Sequence, residues 1–235
     1  MELADVLKKL ESLGTEQTKK TLLRHGANEP LYGVAIEDQK RLLKALKPNH
    51  ALALELFDSG VGDAMYLAAM LCDPKALTQA QLNGWAKLAN SPMLSESAVA
   101  WAAAESRFAM PLALKWIDTG LANVVTSGWS TLSSYVAITD DVDLDRPQIK
   151  ALLDRVLKDV GKAPNRVKAC MNRFVIRVGS CGEPLTKDAQ ATAKKLGVVA
   201  VDVGDTACKI PAATDAIAKI LRAGSLGKKR KTAFC

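Results

Sequence analysis

Ser97-Ala98-Val99-Ala100-Trp101-Ala102-Ala103-Ala104 is the stretch on which the fold turns: eight residues, no charge, five alanines and one large ring. A helix with that composition is buried on most of its circumference, its ring packing against small neighbours. Working outward, Trp85, Trp101, Trp116 and Trp129 are the chain's only tryptophans, spaced 16, 15 and 13 residues apart. One helix plus one connection repeats on this scale, so each Trp marks a similar place on successive antiparallel helices.

The flanks continue the pattern. Apolar periodicity predicts helix pairs at 49–58 with 62–72, 78–89 with 92–106, 110–118 with 121–137, and 146–160 with 163–180. Their short connections carry Gly, Pro, Asn or Ser, which favours antiparallel neighbours. Helices over 1–13, 15–26 and 37–47 precede the pairs, with Thr15 as an N-cap. The reading is an all-α, HEAT-like α-solenoid over 1–182, with a helical extension over 183–235 packed on the same domain. Within that extension, 186–196 and the residues from Pro211 to Gly224 are helical, while the β-branched Val198 to Val203 predicts a small strand or extended link.

Five cysteines, Cys72, Cys170, Cys181, Cys208 and Cys235, have no C-x-x-C spacing, which predicts free thiols in the cytoplasm with no metal or other cofactor. No apolar run approaches the ~20 residues of a membrane span. A monomer is the expected state. The net charge of +7 is uneven: residues 1–145 carry −5 and residues 146–235 carry +12. Such asymmetry points to a polyanion, with a merely solubilising tail as the alternative.

The acids Asp140, Asp141, Asp143 and Asp145 open like a calcium loop but lack its later glycine and glutamate, so they read as a solvated loop, with Pro147 in the next helix's first turn. The following helix is more informative. Val167, Cys170, Met171, Phe174, Val175 and Val178 form an apolar stripe, and Lys162, Arg166, Arg173 and Arg177 run down another face with no acid from 161 to 181. Such a row matches successive phosphates of a nucleic-acid strand, against the plainer reading of a solvated face. Lys228, Lys229, Arg230 and Lys231 lack P-loop spacing and read as a basic arm, mobile until bound. His25 and His50 sit at helix boundaries without partners at ligand spacing, which reads as capping or solvation against catalysis.

The chain resembles the AlkD-like family of DNA alkylation repair proteins through Leu31-Tyr32-Gly33-Val34 before a basic helix and through the helix pairs that follow. Val201 to Pro211 (VDVGDTACKIP) and Gly227 to Thr232 (GKKRKT) resemble the endings of a subgroup. The resemblance implies a right-handed superhelix whose concave basic face holds duplex DNA. In glycosylases of the family an aromatic residue and, four positions on, an aspartate stabilise charge developing on the sugar. Met93 and Ser97 stand at the matching positions, so the carboxylate is missing. The arginine expected near Ser127 and Gly128 and the tryptophan expected near Asn172 are missing too. Glu96 is adjacent to Ser97, but one α-helical step turns it about 100° off that face. Trp101 with Glu105, at i and i+4, is the local candidate for a catalytic pair, beside the reading of a core Trp and a solvated Glu. Three readings follow: a glycosylase for alkylated bases, a non-catalytic DNA-binding relative, and a protein-binding scaffold. Arg166, Arg173 and Arg177 favour the first two.

Overall fold

A computed structural model describes residues 1–234. The first helices are α1 (Leu3–Leu13), α2 (Glu16–Arg24), α3 (Ile36–Ala45), α4 (His50–Asp58), α5 (Gly62–Leu71) and α6 (Gln79–Leu88). A π-helical turn, Leu94–Ala98, runs directly into α7 (Val99–Glu105). Then come α8 (Ala109–Ile117), α9 (Ala122–Ile138), α10 (Arg146–Asp159), α11 (Asn165–Cys181), a 3₁₀ turn at Glu183–Leu185, α12 (Thr186–Leu196) and α13 (Ala213–Arg222). Among the described residues there is no strand, and the structure is an all-helical, HEAT-like repeat fold. Val198 to Val203, where the sequence allows a small strand, is an unpaired link.

Local signals set the helix starts. Thr15 accepts the Thr18 N–H, Thr78 and Gln81 form a capping box, and Asp145 caps α10, in which Pro147 occupies the first turn. The four tryptophans fall on four successive helices, α6 to α9. Trp85 stacks on Phe57 with ring centroids 4.0 Å apart, and Trp116 donates to Asn83 Oδ1 at 2.7 Å. Trp129 packs against Phe174 at 5.4 Å. Trp101 is half-buried and meets the Tyr66 ring edge-on.

The core divides along α8. Leu112 and Trp116 belong to a cluster built with α1 and α3 to α7, whereas Ala113 and Ile117, one step round the helix, belong to a cluster built with α9 to α13. A middle helix that buries opposite faces is the signature of a stacked array. α9 packs against α7, α8 and α11. Its approach to α8 requires Gly128: a Cβ there would lie 2.7 Å from Ile117 Cγ2 and 3.0 Å from the Ala113 carbonyl. α12 and α13 pack on α11, and Leu185, Ala189 and Ile217 share a cluster with Phe174 and Val178.

The entry segment is tied down by a charge. Asp63, fully buried in the first turn of α5, accepts the backbone N–H groups of Tyr32 (2.7 Å), Gly33 (3.1 Å) and Val34 (2.9 Å). Gly33 has φ +81°, the left-handed region, and a Cβ there would collide with Lys19. The later VDVGDTACKIP segment is stapled to α11: Asn165 exchanges hydrogen bonds with the Asp202 backbone, and Asn172 Nδ2 donates to the Pro211 carbonyl at 3.0 Å.

The tail is not a free arm. Gly227 N donates to the Ser180 carbonyl (2.9 Å), Arg230 N to the Ala137 carbonyl (2.8 Å), and Ala233 N to Glu105 Oε1 (2.6 Å). Lys229 donates to the Val136 carbonyl and pairs with Asp141 at 2.8 Å. Phe234 ends the strap against Trp101, centroids 5.2 Å apart. Backbone bonding to the C-terminal turns of α9 and α11 orders a segment whose charge alone suggests mobility.

Candidate nucleic-acid interface

The apolar stripe of α11 is buried throughout, and Arg166, Arg173 and Arg177 emerge half-exposed at spacings of seven and four, on one face. Lys162 does not join them. It lies in the turn before α11 and borders a surface groove with Ile117, Trp129 and Val167.

The row is not free of acids. Glu96, buried in the π-helical turn, pairs through Oε1 with Arg166 and through Oε2 with Arg173 at 2.7 Å. The i→i+5 turn is closed by Val99 N–H onto the Leu94 carbonyl, and Glu96 and Ser97 within it border one cavity. A signal for this exists in the sequence. Glu96 is the only charged residue between Lys87 and Glu105, and the cations of 161–181 have no acid of their own. A lone acid in an apolar segment must find a partner elsewhere. Arg177, by contrast, has no carboxylate within ion-pair distance among the described residues; Nη1 approaches Cys181 Sγ at 3.8 Å.

The tail brings Arg230 to the same cavity, whose volume is about 150 Å³ and whose walls include Ser97, Trp101, Ser130, Arg173 and Arg177. Lys228 and Lys231 are exposed beside it. The candidate catalytic pair is covered by this strap: Trp101 touches Phe234, and Glu105 accepts the Ala233 N–H. No cluster of three or more His, Cys, Asp or Glu side chains suited to a metal occurs among the described residues, and no described helix is long and apolar enough to cross a membrane.

Cys170 lies fully buried behind this face, accepting from Ser130 Oγ at 3.4 Å. Cys72, Cys170, Cys181 and Cys208 are free thiols, and Cys235 lies outside the described residues. Burial pushes the Cys72 and Cys170 thiols from the ordinary 9.0 up to about 12. The unfolded chain therefore loses these protons first, so stability is full below pH 9 and falls as pH rises towards 12, by about 1 kcal/mol per thiol at pH 10. Urea midpoints of the native chain and a Cys72→Ala/Cys170→Ala variant should diverge in their pH slopes above pH 9. Parallel slopes would contradict the burial argument. In native protein at pH 8, exposed Cys208 should react with a disulfide reagent while Cys72 and Cys170 wait for unfolding.

Comparison with known proteins agrees with this architecture. The sequence is similar to uncharacterized protein Lin0241 of Listeria innocua, 31% identical over 216 residues, covering 89% of this chain and 93% of that protein. Uncharacterized protein Lmo0209 of Listeria monocytogenes is 30% identical over the same shares. A solved structure described as "a new family of proteins related to the HEAT-like repeat DNA glycosylases with affinity for branched DNA structures" matches with a TM-score of 0.92, 35% identity and 100% coverage of both chains. Residues 6–159 match the DNA alkylation repair enzyme family, and with this helical array and these relatives the chain belongs to that family.

Proposed function

We propose that this chain is a DNA-binding protein of the alkylation repair family that holds branched or sharply bent duplex through phosphate contacts on a concave face centred on Arg166, Arg173, Arg177 and the basic strap. It does so as a monomer, without metal and without cleaving the N-glycosidic bond. The observation that carries this reading is the fate of the carboxylates in the cleft. A glycosylase of this kind needs an unencumbered carboxylate beside the departing base, yet Glu96 is committed to two arginines and Glu105 to the Ala233 N–H, while Ser97 has none. The affinity for branched DNA described for the 35% identical neighbour supports the substrate class. Phosphate contacts carry no base information, so a junction is distinguished by its shape.

The test is a pair of measurements on the full chain. Anisotropy titrations should show a four-way junction bound about tenfold more tightly than a linear duplex of the same sequence, a difference of about 1.4 kcal/mol. Incubation with methylated DNA should release bases no faster than buffer. Arg177→Ala should lower the slope of log affinity against log salt by about 0.9. Catalytic base release, or no binding to either DNA, would overturn the reading.

A further inference from the structure

The end of the strap is held differently from the rest. Residues 227–230 are fixed by backbone bonds to the Ser180 and Ala137 carbonyls and by the Lys229 pair with Asp141. Beyond them the strap lies against the side chains of α7. The Phe234 ring meets the Trp101 indole edge-on, centroids 5.2 Å apart and planes at 67°, and Ala233 N–H donates to Glu105 Oε1 at 2.6 Å. Trp101 and Glu105 are four residues apart, so one face of α7 presents a ring and, one turn on, a carboxylate. Tyr66 backs the indole at 5.5 Å, and Lys40 Nζ, from α3, stands over the Phe234 ring, 5.2 Å from its centroid. Trp85, Trp116 and Trp129 are buried, whereas Trp101 and Glu105 remain partly accessible even beneath the strap. A ring and a carboxylate kept side by side at the surface are placed to receive a ligand, and here a piece of the chain itself fills that role.

We propose that Trp101 and Glu105 form a binding site for an unpaired nucleobase, and that the end of the strap occupies it as an internal substitute until such a base displaces it. Each strap contact has a counterpart in a base: a flat ring against the indole, and an N–H to the carboxylate. Stacking of a base on an aromatic side chain contributes about 1–3 kcal/mol and tolerates any base. The carboxylate discriminates among them. Guanine offers two adjacent N–H donors, at N1 and N2, to its two oxygens, and cytosine and adenine offer one amino group. Thymine has a single N–H flanked by two carbonyls, which the carboxylate repels. Guanine is therefore the preferred base and thymine the poorest. Arg177 borders the cavity that Trp101 lines and Lys40 approaches from α3, so cations flank the site for the phosphates next to an extruded nucleotide. The site rests on the DNA-binding reading above and adds what it takes from a place where pairing is interrupted. Release of residues 232–234 alone is enough, and the basic part of the strap stays bonded to α9 and α11.

Anisotropy titrations of the full chain compare duplexes carrying one unpaired guanine, one unpaired thymine or no bulge. The guanine bulge should bind about tenfold more tightly than the thymine bulge, and Glu105→Gln should cut that ratio to about twofold or less, because an amide offers one acceptor and a donor. The ratio is the readout, since loss of a negative charge tightens binding to any DNA. Phe234→Ala alters only the strap and should raise affinity for the guanine bulge about fivefold, leaving the unbulged duplex within about twofold, because the competing ring is gone. Thermal melts establish that both variants are folded. Equal binding of the two bulges, or a ratio that Glu105→Gln leaves unchanged, overturns the base site, and unchanged guanine-bulge affinity in Phe234→Ala overturns the strap as its substitute. Free mononucleotides separate this site from the DNA-binding reading. Quenching of tryptophan fluorescence in Phe234→Ala should be stronger with guanosine than with thymidine monophosphate, Trp101 being the one accessible indole among the described residues. That preference without any DNA binding keeps the base site and removes the DNA reading, while DNA binding without preference for a base does the reverse.

Discussion

Asp63→Ala should lower the unfolding free energy by about 4 kcal/mol, the largest loss expected from a single polar substitution in this chain. The carboxylate is fully buried and accepts three backbone N–H groups, from Tyr32, Gly33 and Val34. Truncation leaves these donors without a partner where water has little access, at about 1–3 kcal/mol for each buried group. In a chain of this length the melting temperature should fall by roughly 10 °C. Amide exchange at Tyr32, Gly33 and Val34 should accelerate beyond the global effect, because the segment loses its local anchor. Asp63→Asn keeps one carbonyl oxygen and should recover part of the loss. Urea denaturation decides the matter: a loss below ~1 kcal/mol would mean that the entry segment is held by Leu31 and Val34 packing alone.

Glu96→Gln should tighten DNA binding while weakening the fold. The amide keeps the shape but removes the charge that neutralises Arg166 and Arg173. Two released cations should steepen the salt dependence by as much as ~1.8, and raise affinity near 0.1 M salt by one to two orders of magnitude. The stability cost should be only about 1–3 kcal/mol: the carboxylate is buried, but both arginine side chains are more than a third exposed and water takes over part of their solvation. Anisotropy titrations across a salt series give both quantities. Weaker binding with an unchanged slope would show that Glu96 holds the arginines in a binding geometry instead of masking them, and the neutralised-row account would fall.

Much of the architecture was legible along the chain. The four tryptophans, one per helix from α6 to α9, reflect a repeat length set by helix geometry, and the caps Thr15, Thr78 and Asp145 act within three residues of themselves. The apolar stripe of α11 was equally readable, since periodicity decides which side of a helix meets the core. The site was less so. Arg173 and Arg177 have equivalent sequence surroundings, yet one shares a carboxylate 77 residues away and the other has none among the described residues. Nor could local sequence show that a strap with four cations would be bonded across the ends of α9 and α11 and reach Trp101.

By itself, then, the sequence determined the helical array, the apolar faces that stack it and the basic bias of its last 90 residues, because these depend on composition and on periods of three and four. Tertiary structure alone decided which charges remain available to a ligand. Glu96, in the π-helical turn, meets Arg166 and Arg173, Asp63 gathers the entry segment, and the strap brings Arg230 to the cavity that Arg177 lines while covering Glu105. Each of these joins groups far apart in sequence. Burial makes an unpaired charge or amide too costly to leave alone, but only the packed chain determines which partner lies within reach.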